Sequence, residues 1–216
     1  MIAIRRLVRM LPVLAIAASL AGCGINTIPT RDEAVKASWG DVQNQYQRRA
    51  DLIPNLVSTV KGYAAQEKDV LTAVTEARAS ATQVRVDAST ISNPAQFQQY
   101  AAAQDKLSGV LGRLMMIQES YPDLKSNTNF LALQSQLEGT ENRISVARRD
   151  YNEQVRLYNT SLRTFPTVIW AKTLYGSQKP ALPFEAAATA QTAPTVSFDT
   201  APPAAAPAPT AAPATK

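Results

Sequence analysis

Apolar residues recur every seven positions along much of this chain, a spacing that predicts long helices packed lengthwise against each other. The clearest column lies in a predicted helix from Asn127 to Phe165. Its apolar or aromatic members are Phe130, Leu137, Ile144, Tyr151, Tyr158 and Phe165. Pro166 prevents the helix from continuing. We therefore take residues 127–165 as the helix around which the others pack.

Two further columns run through the preceding region and keep their phase across Pro54. Their members are Val35, Val42, Arg49, Leu56, Tyr63, Val70 and Ala77, and Trp39, Tyr46, Ile53, Val60, Glu67, Val74 and Ala81. Thr30 and Glu33 have the spacing of a capping box at the helix start. Because proline strains a helix interior, we expect two segments, Arg31–Leu52 and Pro54–Val86. One long helix kinked at Pro54 is the alternative.

Turn residues separate the remaining helices. Residues 87–94 predict a loop, and Pro94 can start a third helix that ends near Ser120. Tyr121–Asp123 predicts the next turn. Short loops between long amphipathic helices force neighbours to run antiparallel. We therefore predict an all-α fold, an antiparallel up-and-down bundle of four helices over residues 31–184.

The C-terminal region changes character twice. An apolar cluster predicts a short helix or collar that closes one end of the bundle; it comprises Val168, Ile169, Trp170, Leu174 and Tyr175. From residue 185 to 216 the chain is rich in alanine, proline and threonine and shows no periodicity. Such a segment cannot bury enough apolar surface to order itself, so we predict a disordered tail.

The N-terminus has the three-part build of a secretory signal. A basic stretch precedes an uncharged run, Met10–Gly22, that is shorter than the roughly 20 residues of a membrane span. The sequence Leu20-Ala21-Gly22-Cys23 resembles a bacterial lipobox. That resemblance implies removal of residues 1–22, acylation of Cys23 and a tether over 23–30. An ordinary signal peptide or an uncleaved anchor is the alternative.

Charge and composition exclude several kinds of chemistry. Removing the signal and its Arg5, Arg6 and Arg9 leaves 19 basic against 17 acidic residues, a net charge near +2. A nearly balanced charge does not favour nucleic acid as a partner. One cysteine and no histidine exclude zinc-type Cys/His sites, Cys–His nucleophiles and histidine bases. We expect no cofactor, no metal site and no catalytic residues.

Polar residues interrupt the apolar columns and form one candidate site. Buried charges must be paired, so we expect polar contacts between the Arg48–Asn55 region and the Glu141–Asn159 face, such as Arg49 or Arg148 with a carboxylate. This candidate polar seam comprises Arg48, Arg49, Asp51, Asn55, Glu141, Arg143, Arg148, Asn152 and Asn159. The seam either fixes helix pairing or lines a groove for a ligand or partner.

Several ordered motifs resemble the LemA family, over roughly Arg31 to Glu185. They are RRADLIPNLV (48–57), VKGY (60–63), YPDLKSN (121–127), LEGTENRI (137–144), YN (151–152), YNT (158–160) and FP (165–166). The resemblance implies a helical bundle anchored in a bacterial membrane with its body outside the cytoplasm. The family usually begins with a transmembrane helix, whereas this chain has a lipobox. No catalytic or metal-binding residue can be carried over.

These observations favour a non-enzymatic envelope lipoprotein that acts as an interaction or scaffold protein. Its partners would be the bilayer, through acylated Cys23, and either another envelope protein or a second copy of itself. Resemblance to known lipoprotein sorting signals, with Gly24 rather than aspartate after the lipidated position, implies the outer membrane if the cell is Gram-negative. The alternatives are a self-assembling component that shapes membranes or responds to stress, and a ligand-binding or enzymatic bundle that uses the polar face of the long C-terminal helix.

Overall fold

The computed structural model describes residues 24–84, 87 and 89–185, and every regular element in these ranges is helical. The helices are α1 (Thr27–Tyr63), α2 (Lys68–Gln83), α3 (Pro94–Met116), α4 (Pro122–Lys125), α5 (Thr128–Ser161) and α6 (Thr167–Thr173). Short 3-10 turns at Thr90–Ser92 and Ile117–Ser120 join them. The all-α prediction is confirmed. The predicted number of helices was wrong, because the described ranges contain six helices rather than four.

The predicted signal peptide, Cys23 and the predicted tail from 186 onward lie outside the described residues. Contacts between residues group the described part of the chain up to Phe184 into one compact unit, which contains all six helices. Within the described ranges, none of the helices combines the length and the hydropathy needed to cross a bilayer.

The first helix does not break at Pro54. α1 continues through this proline to Tyr63, and α2 begins at Lys68, so the expected division at residues 52–54 was wrong. Pro54 lacks the amide that would donate to the Ala50 carbonyl. Arg78 of α2 fills the gap, because its Nε donates to Ala50 O at 2.8 Å. A side chain from the next helix thus satisfies the carbonyl that the proline leaves free, and the helix can continue.

The start of the first helix and the end of the long C-terminal helix differ from their predicted positions. α1 starts at Thr27 rather than Arg31, and Thr30 lies inside it, with its amide donating to Asn26 O at 3.1 Å. The capping box predicted there does not cap this helix. α5 ends at Ser161 rather than Phe165, and the Phe165 side chain is 81% exposed. The Thr167 hydroxyl donates to Ser161 O at 2.5 Å and so satisfies a terminal carbonyl of α5.

Contacts between helices show their directions. Tyr63, Arg49 and Trp39 of α1 meet Asn127, Glu141 and Tyr151 respectively, so α5 runs opposite to α1. α2 and α3 are likewise opposed, since Glu67 contacts Tyr121 and Ala81 contacts Gln104. α2 has only 16 residues and covers one half of the 37-residue α1.

The core therefore divides into two halves. The aliphatic half, packed under α2, includes Ile53, Leu56, Val60, Leu71, Val74, Leu107, Leu111, Leu114, Phe130 and Leu137. The aromatic half lies toward the N-terminal end of α1 and includes Trp39, Tyr46, Phe97, Tyr100, Tyr151, Tyr158 and Phe184. The aromatic half is closed by the segment Gln178–Phe184, here called the C-terminal strap, which has no helical structure.

Candidate functional site

Arg49 lies at the junction of the two halves and is only 1% exposed. Its Nη1 donates to Ser108 Oγ at 2.6 Å and to Glu141 Oε1 at 2.9 Å. Its Nη2 donates to the side-chain and backbone oxygens of Gln104 at 2.6 and 3.2 Å. The Gln104 amide donates in turn to Ala81 O of α2 at 3.3 Å. One guanidinium thus connects α1 to α3 and α5 directly, and to α2 through Gln104.

The expected contact between Arg49 and a carboxylate is present. A buried guanidinium is costly without a counter-charge, and Glu141 supplies it from a side chain that remains 39% exposed. The Arg49 guanidinium carbon also lies 5.0 Å from the centre of the Tyr46 ring. Burial raises the pKa of Tyr46, although the charges of Arg148 and Arg49 oppose that shift. The local charge is therefore balanced by pairing within the bundle.

The rest of the predicted seam does not converge on one point. Arg48, Asp51, Asn55 and Arg143 are exposed. Asp51 accepts a hydrogen bond from Gln47 Nε2 at 2.8 Å. Arg143 lines a shallow α1–α5 groove of about 340 Å³ that also contains Asp41, Asp150 and half-exposed Val146.

Asn152 and Asn159 have a role that the periodicity did not reveal. Asn152 donates to Phe184 O at 2.9 Å and accepts from Phe184 N at 2.8 Å. Asn159 makes the same pair of bonds with Ala181, at 2.8 and 2.9 Å. Seven helical residues rise about 10 Å, a distance that three extended residues cover. The two asparagines therefore hold the strap extended and antiparallel to α5.

The neighbouring tyrosines also bond the strap, and the four residues Tyr151, Asn152, Tyr158 and Asn159 are here called the clasp. Tyr151 Oη donates to Leu182 O at 2.8 Å, and Tyr158 Oη lies 3.2 Å from Lys179 O. Burial raises the pKa of Tyr151 and raises the pKa of Tyr158 to about 12. The repeated Tyr-Asn pair at 151–152 and 158–159 was the sequence signal for the clasp. The partner of this repeated pair could not be predicted from the sequence, because the strap shows no heptad pattern.

Phe184 anchors the strap in the aromatic half. Its ring centre lies 4.9 Å from that of Phe97, 5.5 Å from Tyr151 and 5.9 Å from Trp39. Arg148 lies over the same ring at 4.5 Å and forms an ion pair with Asp105 at 3.3 Å. Arg148 therefore pairs with a carboxylate of α3, outside the regions where a contact was expected, and covers one face of the Phe184 ring.

A depression of about 240 Å³ opens beside the Arg49 cluster. Its polar lining is made of amide and hydroxyl side chains, including Gln43, Tyr46, Tyr100 and Gln104. No carboxylate lines it within the described part of the chain, so it does not present the paired acids that acid–base chemistry uses. Of the predicted seam, Arg49 instead pairs with Glu141, Arg148 pairs with Asp105, and the two asparagines bond the strap.

Comparison with known proteins decides the family. The model of the LemA family matches residues 38–198, about three quarters of the chain. The chain belongs to the LemA family. Arg49, Glu141, Asn152 and Asn159 all lie inside the matched range.

Relatives of this LemA-family chain are similar at low identity. The magnetosome proteins MamQ 1 and MamQ 2 of Paramagnetospirillum magneticum are each 25% identical over 157 residues, which cover 65% of this chain and 58% of theirs. Protein LemA of Metamycoplasma hominis is 24% identical over 126 residues, 58% of this chain and 53% of its own. The chain thus spans less than two thirds of the length of these relatives.

Proposed function

We propose that this LemA-family chain is a lipid-anchored envelope protein that acts by contact rather than by catalysis. The observation that carries the proposal is the short distance between the predicted anchor and the folded body. Cys23 precedes Gly24 directly, and α1 begins only three residues later. Thr27 N donates to Gly24 O at 3.0 Å, which makes this connection a turn rather than a long tether. An acyl group at Cys23 would hold the bundle against the bilayer.

The internal pairing of the polar seam supports a role without chemistry. Arg49, Glu141 and Arg148 are engaged in contacts between helices, and Asn152 and Asn159 hold the strap. Such groups fix helix pairing and leave the outer faces as the surface for a partner. We propose an envelope protein or a second copy as that partner, and the outer membrane as the location in a Gram-negative cell.

Metabolic labelling with an alkyne fatty acid tests the anchor. The wild-type protein should incorporate the label and begin at Cys23 when its N-terminal peptide is sequenced by mass spectrometry. Cys23→Ala should lose both properties, and since Cys23 is the only cysteine, no other thiol can carry the label. A wild-type protein that carries no lipid, or that is cleaved elsewhere, would contradict the proposal. Separation of inner and outer membranes on a density gradient then gives the location.

Self-association has one specific observation in its favour. The α1–α5 groove contains Val146, which is 48% exposed, with Asp41 and Asp150 close to Arg143. Opposite charges beside an apolar side chain suit a contact between identical copies. A photo-crosslinker at position 146 should join two copies in native membranes, whereas one at exposed Tyr63 should not. Crosslinks to a different envelope protein would identify a partner instead.

A further inference from the structure

Exposed apolar side chains concentrate at one place on the bundle. Phe165, Ile169 and Leu174 are 81%, 47% and 59% exposed and fall within ten residues of each other. The other large exposed apolar residues of the described chain, Tyr63, Met116, Leu131 and Val146, are spread along it. Scattered exposed apolar residues are ordinary, whereas a group of them marks an interaction surface.

The segment from α6 to Tyr175 has both packed and exposed apolar residues. Trp170, Ala171 and Tyr175 pack inward against the aromatic half. Ile169 and Leu174 remain outside, as does Lys172. The inward side explains why the helix is attached to the bundle. The outward side has no partner in the described structure, so these residues are available to a second surface.

Along the chain, the charged residues on either side of α6 have a single sign. Between Glu153 and Glu185 the chain has no acidic residue, and its basic residues are Arg156, Arg163, Lys172 and Lys179. Arg156 pairs with Glu153, whereas Arg163, Lys172 and Lys179 have exposed side chains. Exposed apolar groups flanked by lysine and arginine fit the headgroup region of an anionic bilayer.

The position of α6 matches that of the predicted anchor. A methyl group built on Gly24 would lie 3.2 Å from Thr167 Cγ2 and 3.9 Å from Pro166 Cγ, so Gly24 lies against the start of α6. Cys23 directly precedes Gly24 in the sequence. The far end of α1 is about 55 Å away at a rise of 1.5 Å per residue. An acylated Cys23 would bring α6, and not the far end, to the membrane.

We propose that α6 and the turn before it lie in the interface of an anionic bilayer, as a second contact beside the acylated Cys23. Phe165, Ile169 and Leu174 enter the headgroup boundary, and Arg163 and Lys172 meet lipid phosphates. This inference rests on the proposed lipid anchor. Its consequence is orientation, because two contacts fix the tilt of the bundle where an acyl chain alone leaves it free.

Site-specific fluorescence in vesicles tests the contact. Acylation consumes the thiol of Cys23, so a cysteine introduced by Ile169→Cys is the one free thiol of the full-length lipoprotein. Leu131→Cys is the matched control, since Leu131 is 46% and Ile169 47% exposed. Each is labelled with an environment-sensitive dye and inserted in vesicles with about 30% anionic phospholipid. A quencher on the lipid chains should reduce the dye signal at 169 at least about threefold more than at 131.

Two other outcomes would overturn the proposal in different ways. Equal, weak quenching at both positions in vesicle-bound protein would show that α6 stays in water. A blue shift at 169 that the lipid quencher does not reduce would show that a protein, such as a second copy, covers this surface. Failure of the anchor itself is separable, because the parent protein would then react with the dye at Cys23 and would not float with the vesicles.

A charge substitution adds an independent result. Phe165→Glu in the Ile169→Cys protein should lower quenching at 169 about threefold while the protein still floats with the vesicles. Leu131→Glu should leave quenching at 169 unchanged. If Phe165→Glu has no effect, α6 does not lie in the interface.

Discussion

The two halves of the bundle share the same heptad columns but are closed in different ways. In the aliphatic half, Leu71 and Val74 of α2 cover the side chains of α1. In the aromatic half, Phe184 of the strap covers Trp39 instead. A helix satisfies its own backbone, whereas an extended strap depends on side chains for that purpose. The Tyr-Asn pairs of α5 therefore supply the strap with the backbone hydrogen bonds that α2, as a helix, makes within itself.

Arg49 joins the two halves, and its removal should have the largest effect. Arg49→Ala leaves the side chains of Gln104 and Ser108 without their donor and opens a cavity in the bundle, and together these losses should cost about 3–5 kcal/mol. Arg48→Ala, next to it but exposed, should change stability by less than about 0.5 kcal/mol. Denaturant unfolding of both variants measures the difference. Equal stability of the two would show that the cluster does not hold the halves together.

Phe184 should be the main apolar contribution of the strap. Phe184→Ala removes a buried ring from its aromatic neighbours and should cost about 3–4 kcal/mol of unfolding free energy. Phe165→Ala is the matched control, because its ring is 81% exposed, and it should be nearly neutral. Trp39 and Trp170 both lie in or against the aromatic half, so their fluorescence reports on it. If Phe184→Ala leaves the free energy of unfolding unchanged, the strap covers the core without stabilising it.

Arg78 tests the aliphatic half, with a smaller effect. Arg78→Ala leaves Ala50 O without a donor and should cost about 1 kcal/mol. Pro54→Ala restores a backbone amide at that carbonyl, so in this background Arg78→Ala should cost close to nothing. The double-mutant cycle is measured by chemical denaturation. Additive effects of the two substitutions would show that Arg78 does not compensate for the proline.

The effect of pH is smallest near neutrality and should separate the halves under alkaline conditions. Burial raises the pKa of Tyr46, Tyr100, Tyr151 and Tyr158, all in the aromatic half, above the ordinary value of 10.0. The native state then binds more protons than the unfolded state above pH 10, so stability falls as pH rises from about 10 toward 12. Tyrosinate absorbance should rise together with the change in tryptophan fluorescence. Complete titration near pH 10 with unchanged fluorescence would contradict this.

The periodic apolar positions of the helices could be predicted from the sequence, whereas contacts that follow no period could not. The columns through Val35, Val42 and Leu56 and through Leu137 and Ile144 are buried as expected, because burial on a helix follows its period. The strap was not predicted, since Ala181 and Phe184 show no period and meet α5 only through tertiary contacts. The continuous α1 was missed for a similar reason. Pro54 disfavours a helix locally because it leaves the Ala50 carbonyl without a donor. Arg78, 24 residues later in the chain, supplies that donor.

The candidate site was predicted in part on the same grounds. The ion pair of Arg49 followed from the cost of a buried charge, without knowledge of its partner. The clasp of Asn152 and Asn159 could not be assigned, since an amide side chain fits a helix interface or a backbone equally well. The apolar cluster after Pro166 was expected to close one end. α6 and the turn after it do so with Trp170 and Tyr175, while Ile169 and Leu174 are exposed.

The most direct test of whether the strap closes the aromatic half is native-state hydrogen exchange on two truncated chains. One chain ends after Glu185 and keeps the strap, and the other ends after Ser177 and lacks it. Loss of the strap should reduce protection about 100-fold or more for amides in Val35–Tyr46 and Ile144–Tyr158. Amides in Leu71–Ala77 and around Val60 should change by less than about tenfold. Equal loss in both halves, or no loss in either, would contradict a closing role for the strap.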